Sequence, residues 1–242
     1  DVFRCRGTIW YQGCTNANAW PQHPEGIDFY HNYQKALVEG LRELFGRDDM
    51  AFVCVQLAGF VKHTPAKRMK DDEVAALPPS EGGFVKIRDE QVRIREVPLC
   101  DCATAFDIGD HSDIHPKNKQ EVGERLARWA LNRTYGRTDL LPTGPRAVSA
   151  VVRGGRVTVR FVDCGKGLAA RGPLRGFYVK DAAGGFHAAQ AKIVGVDAVE
   201  VSAADCPAPV EVRFAWSKNP GVIALVNSDG LPASPFRRQL AE

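Results

Sequence analysis

Two continuous apolar runs constrain the fold of this chain more than any other feature. Ala51 to Leu57 and Leu99 to Phe106 each have the length of a strand and carry few polar side chains. A strand that is apolar on both faces is typical of a parallel sheet covered by helices on each side. Before the first of these runs, Asp28 to Phe45 carries apolar residues at steps of three and four, which predicts a helix. The first half is therefore expected to form an open α/β sheet.

The remaining patterns of the first half alternate in the same way. They predict a strand over Phe3 to Gln12, helices over Phe84 to Glu96 and Asn118 to Tyr135, and a long loop over residues 59–82. The resulting order β-α-β-α-β-α is that of an open α/β sheet. Sheets of this kind bind their ligands at the carboxyl ends of the strands, so candidate site residues are sought there.

Beyond Gly136 the pattern changes to short strands separated by turns. Residues 137–146 contain two prolines and are predicted to be a linker. The pair Gly154-Gly155 lies between two alternating runs, which is a strong hairpin signal. Strand-like runs cover residues 148–153, 157–162, 176–179, 193–201 and 210–216. This spacing predicts a small β-sandwich over residues 147–242, separate from an α/β domain over residues 1–136.

The composition excludes several classes of function. The 242 residues carry 32 basic and 29 acidic side chains, a net charge of +3 without a long run of either sign. A nucleic-acid partner is therefore not expected. No apolar stretch approaches the roughly 20 residues that span a bilayer, so a membrane partner is not expected either. The seven cysteines lack zinc-site spacing, and no metal or other cofactor is expected. Three cysteines in apolar runs are predicted to be buried free thiols: Cys54, Cys100 and Cys102.

The segment after the third predicted strand places a histidine among acidic residues, Asp107-Ile-Gly-Asp-His-Ser-Asp-Ile-His-Pro-Lys-Asn-Lys-Gln120. His115 is suited to take a proton from a nucleophile, provided that an acidic neighbour fixes its tautomer. Asp107, Asp110 and Asp113 are all candidates for that neighbour. The alternative is a surface loop in which the histidine enters a helix directly before a proline, a favoured first helical position. The residues alone leave both open. The other histidines are expected to be solvated: His23, His31, His63, His111 and His187.

A second polar loop follows the first predicted strand, over residues 10–17. Gln12 and Asn16 carry neutral amide donors, and Gly13 lets the backbone approach a ligand closely. Such groups suit an oxyanion that forms only in a transition state. The alternative is an Asx-type turn in which Asn16 only caps the loop. Two aromatic residues nearby are expected to be exposed and suited to stacking on a sugar: Trp20 and Tyr30.

Several ordered motifs connect these two loops with the rest of the chain. They are Gly7-Thr-Ile-Trp-Tyr-Gln-Gly-Cys-Thr-Asn-Ala17, Val55-Gln-Leu-Ala-Gly-Phe60, Ile87-Arg-Asp-Glu-Gln91 and the segment from Asp107 to Gly123. In the second half, Arg213-Phe-Ala-Trp-Ser-Lys-Asn-Pro220 and Gly230-Leu-Pro-Ala-Ser-Pro-Phe236 continue the series. Together they resemble the sialate O-acetylesterase family, which is part of the SGNH hydrolase superfamily. The resemblance covers nearly the whole chain.

The resemblance implies a fold and an activity. The fold is a partial flavodoxin-like, three-layer α/β/α hydrolase domain followed by a small all-β sandwich-like domain. The activity is removal of acetyl groups from sugar hydroxyls by a serine mechanism that needs no metal. The family is often exported, so a periplasmic or extracellular location is favoured. An acetylated sugar is the substrate that the resemblance implies.

The resemblance also implies roles for individual residues. His115 would be the general base, and Asn16 would donate to the oxyanion. Three residues would shape or line the same pocket: Gln12, Gly13 and Gln56. Asp113 is the first choice for orienting the histidine, with Asp107 and Asp110 as alternatives, because the usual acid position of the superfamily, three residues before the histidine, is Ser112 here.

The sequence departs from the family pattern in two ways. Cys14 and Thr15 stand where the family motif Gln-Gly-Glu-Ser-Asn has Glu and Ser. The nucleophilic serine of the family lies in a Gly-Gln-Ser-Asn turn upstream of the residues present, so the sequence is expected to begin at about the third strand of the family's sheet. An open sheet edge is normally covered or paired. We therefore expect a second chain or N-terminal half to complete the sheet, or a homo-oligomer.

Three functions follow from these observations. The first is a carbohydrate O-acetylesterase, sialate 9-O-acetylesterase-like, whose nucleophile is supplied by a missing N-terminal segment or a partner chain. The second is a catalytically inactive fragment that acts as a carbohydrate-binding or structural module. The third is an independent hydrolase with another nucleophile, Ser112 or Cys14.

Overall fold

The computed structural model describes residues 4–19, 29–61, 79–221 and 224–240. The chain is mixed α/β and forms two compact units, residues 1–62 with 81–142 and residues 63–80 with 143–242. Most of the predicted loop over residues 59–82 lies outside the described residues. So do Asp28, the predicted start of the first helix, and three residues whose exposure was predicted: Trp20, His23 and His63. The predicted domain bounds stay a prediction.

The first unit has a parallel three-stranded sheet in the order β1-β2-β3. Its strands are β1 Gly7–Trp10, β2 Ala51–Val55 and β3 Cys100–Ala103. Its α-helices within the described residues are α1 Cys14–Ala19, α2 Phe29–Phe45, α3 Gly83–Val92 and α4 Lys119–Arg133. The predicted strands are present but shorter. The predicted helix over residues 84–96 changes to a 3-10 turn at Arg93–Glu96. No helix in these described ranges combines the length and the apolarity of a membrane span.

The alternation of side chains along β2 explains why both faces of the sheet are covered. The odd-numbered residues from Ala51 to Val55 pack against the apolar face of α4 around Trp129. The even-numbered residues pack with Val38 of α2 and with Ile94 after α3. Because each face meets a helix, a polar side chain at any position of β2 would be buried. The cysteines of this second layer are free and buried, as predicted: Cys54, Cys100 and Cys102.

The second unit consists of antiparallel sheets. Their orders are β4-β5-β10-β9, β13-β11-β7-β8 and β12-β6. The strands are β4 Arg146–Arg153, β5 Arg156–Val162, β6 Ala169–Ala170, β7 Phe177–Lys180, β8 Phe186–Ala188, β9 Gln190–Ile193, β10 Ala198–Ser202, β11 Glu211–Phe214, β12 Leu225–Val226 and β13 Phe236–Gln239. The predicted hairpin is confirmed, because β4 and β5 pair across Gly154 and Gly155, whose φ angles are 54° and 75°.

One strand prediction in this unit is wrong. Residues 193–201 do not form a single strand, because β9 ends at Ile193 and β10 begins at Ala198. The two strands pair antiparallel, with Val199 opposite Ile193. Gly195 in the connection has a φ of 84°, a conformation that glycine adopts without steric cost. The apolar pattern continued through the turn and concealed it.

Candidate active site

A cavity of about 240 Å³ lies at the carboxyl end of the parallel sheet. Its wall comes from the loops that follow β1, β2 and β3, and from the helix residues next to them. The lining residues are Tyr11, Gln12, Gly13, Cys14, Thr15, Ala58, Phe60, Phe84, Ile114, His115, Pro116 and Lys119. The structure therefore brings together three of the predicted site residues, Gln12, Gly13 and His115, from loops about 100 residues apart in the sequence.

His115 reaches this cavity from the loop between β3 and α4. Its side chain is 88% exposed, and its Nδ1 lies 3.7 Å from Oδ1 of Asp113. The same Oδ1 accepts a hydrogen bond from the backbone N–H of His115 at 2.9 Å. This backbone contact keeps the carboxylate beside the imidazole ring, where a small rotation brings Nδ1–H into hydrogen-bonding range.

The other two candidate acids make strong contacts elsewhere. Asp107 accepts two hydrogen bonds from the guanidinium of Arg125, at 2.6 Å and 2.8 Å. Oδ1 of Asp110 accepts from both the backbone N–H and the hydroxyl of Ser112, each at 2.8 Å. The bidentate ion pair with Arg125 holds the carboxylate of Asp107 firmly in place. Asp113 stays the first candidate for the acid that orients His115.

Of the alternative interpretation, a surface loop in which His115 enters a helix directly before Pro116, only the helix entry is wrong, because the residue does lie in an exposed loop. Helix α4 begins at Lys119, and its cap is Asn118, whose side-chain oxygen accepts from the backbone N–H of Glu121 at 3.2 Å. His115 thus belongs to the loop and not to the first turn of the helix.

The loop after β1 is tied together by amide side chains. Nε2 of Gln12 donates to Oδ1 of Asn16 at 2.7 Å. Because Asn16 lies inside α1, the Asx-type turn is not formed. This contact occupies the oxygen of the Asn16 amide and leaves its Nδ2 end as the donor. Asn16 does not line the cavity and reaches it only through its contact with Gln12.

Gly13 occupies a position that other residues would not tolerate. Its φ is 140°, in the region that favours glycine. A Cβ there would lie 3.1 Å from Cγ2 of Ile87, 3.2 Å from Nε2 of Gln91 and 3.2 Å from the hydroxyl of Tyr30. The sequence predicted a close approach of the Gly13 backbone to a ligand. The close contacts found at Gly13 are with Ile87, Gln91 and Tyr30, and the residue also lines the cavity.

Two further predictions differ from what is found. Gln56 is 1% exposed and lies off the cavity wall, where its Nε2 makes a long contact of 3.5 Å with the carbonyl oxygen of Arg88. Tyr30, expected to be exposed, is buried, and its hydroxyl donates to the carbonyl oxygen of Gln12 at 2.8 Å. Helix α2 turns Tyr30 inward beneath the loop. It supports the site from below and does not face a sugar.

The prediction that the remaining histidines are solvated is wrong for two of those described. His31 and His111 are buried, at 2% and 8% exposure. His187 lies between two aspartates of the second unit, Asp181 and Asp205. The polar neighbours of His111 in the sequence do not indicate its burial, which depends on tertiary contacts.

The cavity carries positive charge. Nζ of Lys119 lies 5.0 Å from the ring centroid of Tyr11, a cation–π contact. No aspartate or glutamate is among the described lining residues. Beneath the wall, burial lowers the pKa of the Arg88 guanidinium to about 9, which still leaves it protonated at neutral pH. Burial also raises the pKa of Tyr11 to about 12.

The two alternative nucleophiles gain no support from this geometry. Burial raises the pKa of the Cys14 thiol above its usual range, so the thiol stays protonated and weakly nucleophilic at neutral pH. The hydroxyl of Ser112 donates to Asp110 and not to His115. In the described part of the chain, no serine lines the cavity.

In those same ranges, no group of three or more His, Cys, Asp or Glu side chains is arranged to hold a metal ion.

Comparison with known proteins shows which proteins this chain is similar to. A solved carbohydrate acetylesterase from Xanthomonas citri superposes with a TM-score of 0.82 and 35% identity, over 98% of this chain and 51% of that chain. Sialate O-acetylesterase from Homo sapiens is 31% identical over 157 residues, and the rat protein is 30% identical over 155 residues. No protein-family model matches the chain. The resemblance to the sialate O-acetylesterase family is thus confirmed.

The matches cover only part of each relative. The human alignment includes 58% of this chain and 26% of the human protein. The solved acetylesterase is matched over about half of its length, 51%. The likeness therefore concerns a portion of those proteins.

Proposed function

We propose that this chain contributes the histidine side of a carbohydrate O-acetylesterase, a carboxylic ester hydrolase of the serine type. The observation that carries the proposal is the cavity shared by His115, Gln12 and Gly13 at the carboxyl end of a parallel sheet. The names of the similar proteins point to the same reaction. In this proposal the first unit is part of a flavodoxin-like, SGNH-type α/β/α domain, and the second is a sandwich-like β domain.

The proposed reaction is acyl transfer through an acetyl-enzyme. A serine hydroxyl attacks the acetyl carbonyl carbon while Nε2 of His115 accepts its proton, and Asp113 holds the tautomer with hydrogen on Nδ1. The carbonyl oxygen becomes an oxyanion, for which the N–H of Gly13 is the proposed donor. The amide of Asn16, the donor that the resemblance implies, would need to turn past Gln12 to reach it. His115 returns the proton to the departing sugar oxygen. Water then repeats the sequence and releases acetate.

The nucleophile in this proposal comes from another polypeptide segment or from a partner chain. Two observations support it. No serine lines the cavity within the described residues, and β1 pairs there with β2 alone. Ile9 of β1 is 67% exposed, which leaves an apolar edge for another strand. A strand added at this edge would end beside the loop that carries Gln12.

The proposed substrate is an acetylated sugar, and the cavity charge favours an acidic one. Lys119 lines the cavity, and none of the described lining residues is acidic, so in this proposal its ammonium group pairs with a substrate carboxylate. A sialic acid carries such a carboxylate, which agrees with the names of the mammalian relatives. By the same resemblance we propose that the protein acts outside the cytoplasm.

The test is hydrolysis of p-nitrophenyl acetate and of an O-acetylated sialic acid. The chain is assayed alone and after addition of a polypeptide that carries the Gly-Gln-Ser-Asn turn of the family. We expect activity in the mixture only, and we expect His115→Ala to lower its kcat by about 10²–10⁴-fold, the usual contribution of a general base. Asp113→Asn is expected to lower kcat less, since it only orients the histidine.

His187→Gln serves as the matched control, because this histidine lies in the second unit, outside the cavity. Its activity should equal that of the unaltered chain. If the mixture binds the acetylated sugar but never releases acetate, the chain is a carbohydrate-binding module. If the chain alone is active and His115→Ala has no effect, the proposed role of His115 is wrong.

A further inference from the structure

Gln91 of α3 joins the two strand ends that build the cavity wall, although it lies outside the cavity. Its side chain is 0% exposed. Oε1 accepts from the backbone N–H of Leu57 at 2.9 Å. Nε2 donates to the carbonyl oxygens of Gln12 at 2.9 Å and of Val55 at 3.3 Å. One buried amide therefore uses both ends to connect the loop after β1 with the end of β2.

The contact with Gln12 determines the direction of a neighbouring donor. The carbonyl of Gln12 belongs to the same peptide unit as the N–H of Gly13, and in a planar trans peptide the two groups point in opposite directions. Two donors hold that carbonyl toward the interior, Nε2 of Gln91 and the hydroxyl of Tyr30. The N–H of Gly13 must then point away from these two donors, and Gly13 itself lines the cavity.

We propose that Gln91 is a positioning residue that fixes the Gln12–Gly13 peptide plane, so that the N–H of Gly13 is held toward the cavity before substrate binds. Arg88, one turn earlier on α3, supports the same arrangement, because its guanidinium donates to the carbonyl oxygens of Leu57 and Ala58 at 2.8 Å and 2.9 Å. Helix α3 therefore positions both the loop after β1 and the loop after β2. The catalytic consequence of this inference rests on the proposed acetylesterase function, but the positional consequence does not.

The positional consequence is tested without any assay of activity. Cys14 follows Gly13 directly and is half-buried, so its reaction with iodoacetamide reports opening of this loop. In Gln91→Met the three hydrogen bonds are lost, and we expect Cys14 to be alkylated at least about fivefold faster relative to Cys5. Cys5 lies before β1 and serves as the internal reference. Peptide mass spectrometry separates the two sites.

Gln34→Met is the matched control. Gln34 is also a buried glutamine, at 2% exposure, but neither atom of its amide has a hydrogen-bond partner among the described residues. Its replacement should leave the alkylation ratio of Cys14 to Cys5 unchanged. If Gln91→Met does not fold, Gln91→Glu keeps the volume and the acceptor for Leu57 while removing the amide donor. An unchanged ratio in a folded Gln91 variant would overturn the proposal.

The catalytic consequence is tested in the mixture that hydrolyses acetyl esters. A donor displaced by about 1 Å costs up to about a hundredfold in rate, so we expect kcat of Gln91→Met to fall about ten- to a hundredfold. KM should change less than about twofold, because the ground-state ester needs no oxyanion donor. A rise in KM at constant kcat would contradict the positioning role. Absence of activity in every variant would count against the proposed function and leave the alkylation result to decide on Gln91.

Discussion

At the scale of single residues, the loops below the cavity depend on one very close approach. A Cβ added at Gly109 would lie 2.3 Å from both the backbone N and the carbonyl oxygen of Gly59. Gly59 donates its N–H to the carbonyl oxygen of Phe106 at 3.1 Å, so the loop after β2 and the loop after β3 are in backbone contact. The φ of Gly109 is −75°, which any residue adopts. Space, and not conformation, excludes a side chain there.

We expect Gly109→Ala to lower the free energy of unfolding by about 1–3 kcal/mol, because overpacking forces the two backbones apart. Gly123→Ala is the matched control. That glycine is exposed in α4 with nothing within 4 Å of its added Cβ, and the helix propensity of alanine should raise the free energy of unfolding by about 0.5–1 kcal/mol. Urea unfolding measures both. Shifts of the same sign would show that the contact between the loops is not tight.

At the scale of elements, His187 of β8 contacts two aspartates in neighbouring turns, in addition to the pairing of β8 with β7. Nε2 of His187 lies 2.8 Å from Oδ2 of Asp181, and Nδ1 lies 2.9 Å from Oδ2 of Asp205. Hydrogen bonds to these carboxylates raise the pKa of His187 above its usual value. The same contacts lower the pKa values of Asp181 and Asp205. The folded state is therefore most stabilised by this cluster when His187, Asp181 and Asp205 are all charged.

The sign of the pH dependence follows from these directions. The contribution of His187 is complete below its unfolded pKa of about 6.5 and is lost as pH rises through its higher folded pKa. The contribution of the aspartates is complete above about pH 4 and is lost as pH falls through their lower folded pKa values. We expect the melting temperature of the unaltered chain to exceed that of His187→Gln most between about pH 4 and 6.5. A difference that stays constant up to pH 9 would contradict this.

At the scale of the whole molecule, the first unit has an unpaired apolar edge. Within the described ranges β1 contacts only β2 in the sheet. A groove of about 290 Å³ beside it is lined by Ile9, Val53 and Trp129, and by Tyr135, which is 62% exposed. Exposed apolar surface at a free strand edge favours association with another chain.

We expect the chain by itself to associate, with a mass above 26.5 kDa in light scattering at micromolar concentrations. Ile9→Lys should shift the distribution toward the monomer, because a charge at an edge strand opposes pairing. Val196→Lys is the control, since Val196 is equally exposed at 66% but lies in the second unit. A stable monomer of the unaltered chain would contradict the need for a partner at this edge.

Local patterns in the sequence were sufficient for much of this protein. The apolar run of β2, the spacing of α2 and the Gly154-Gly155 turn each determine an element from neighbouring residues alone, because strand and helix periodicities are local properties. The motif around His115 likewise indicated the loop that lines the cavity. The carboxyl ends of parallel strands meet at one edge, so the sequence also predicted that this loop and the loop of Gln12 would lie together.

Only the tertiary structure decided how the site is held. Gln91 and Gln12 are 79 positions apart in the sequence, and Tyr30 and Gln12 are 18 apart, so no local pattern predicts their hydrogen bonds. The proposal of Asp113 over Asp107 depends likewise on an ion pair that Asp107 makes with Arg125 on α4. These contacts arise because packing buries polar side chains that must then find partners wherever the fold brings them.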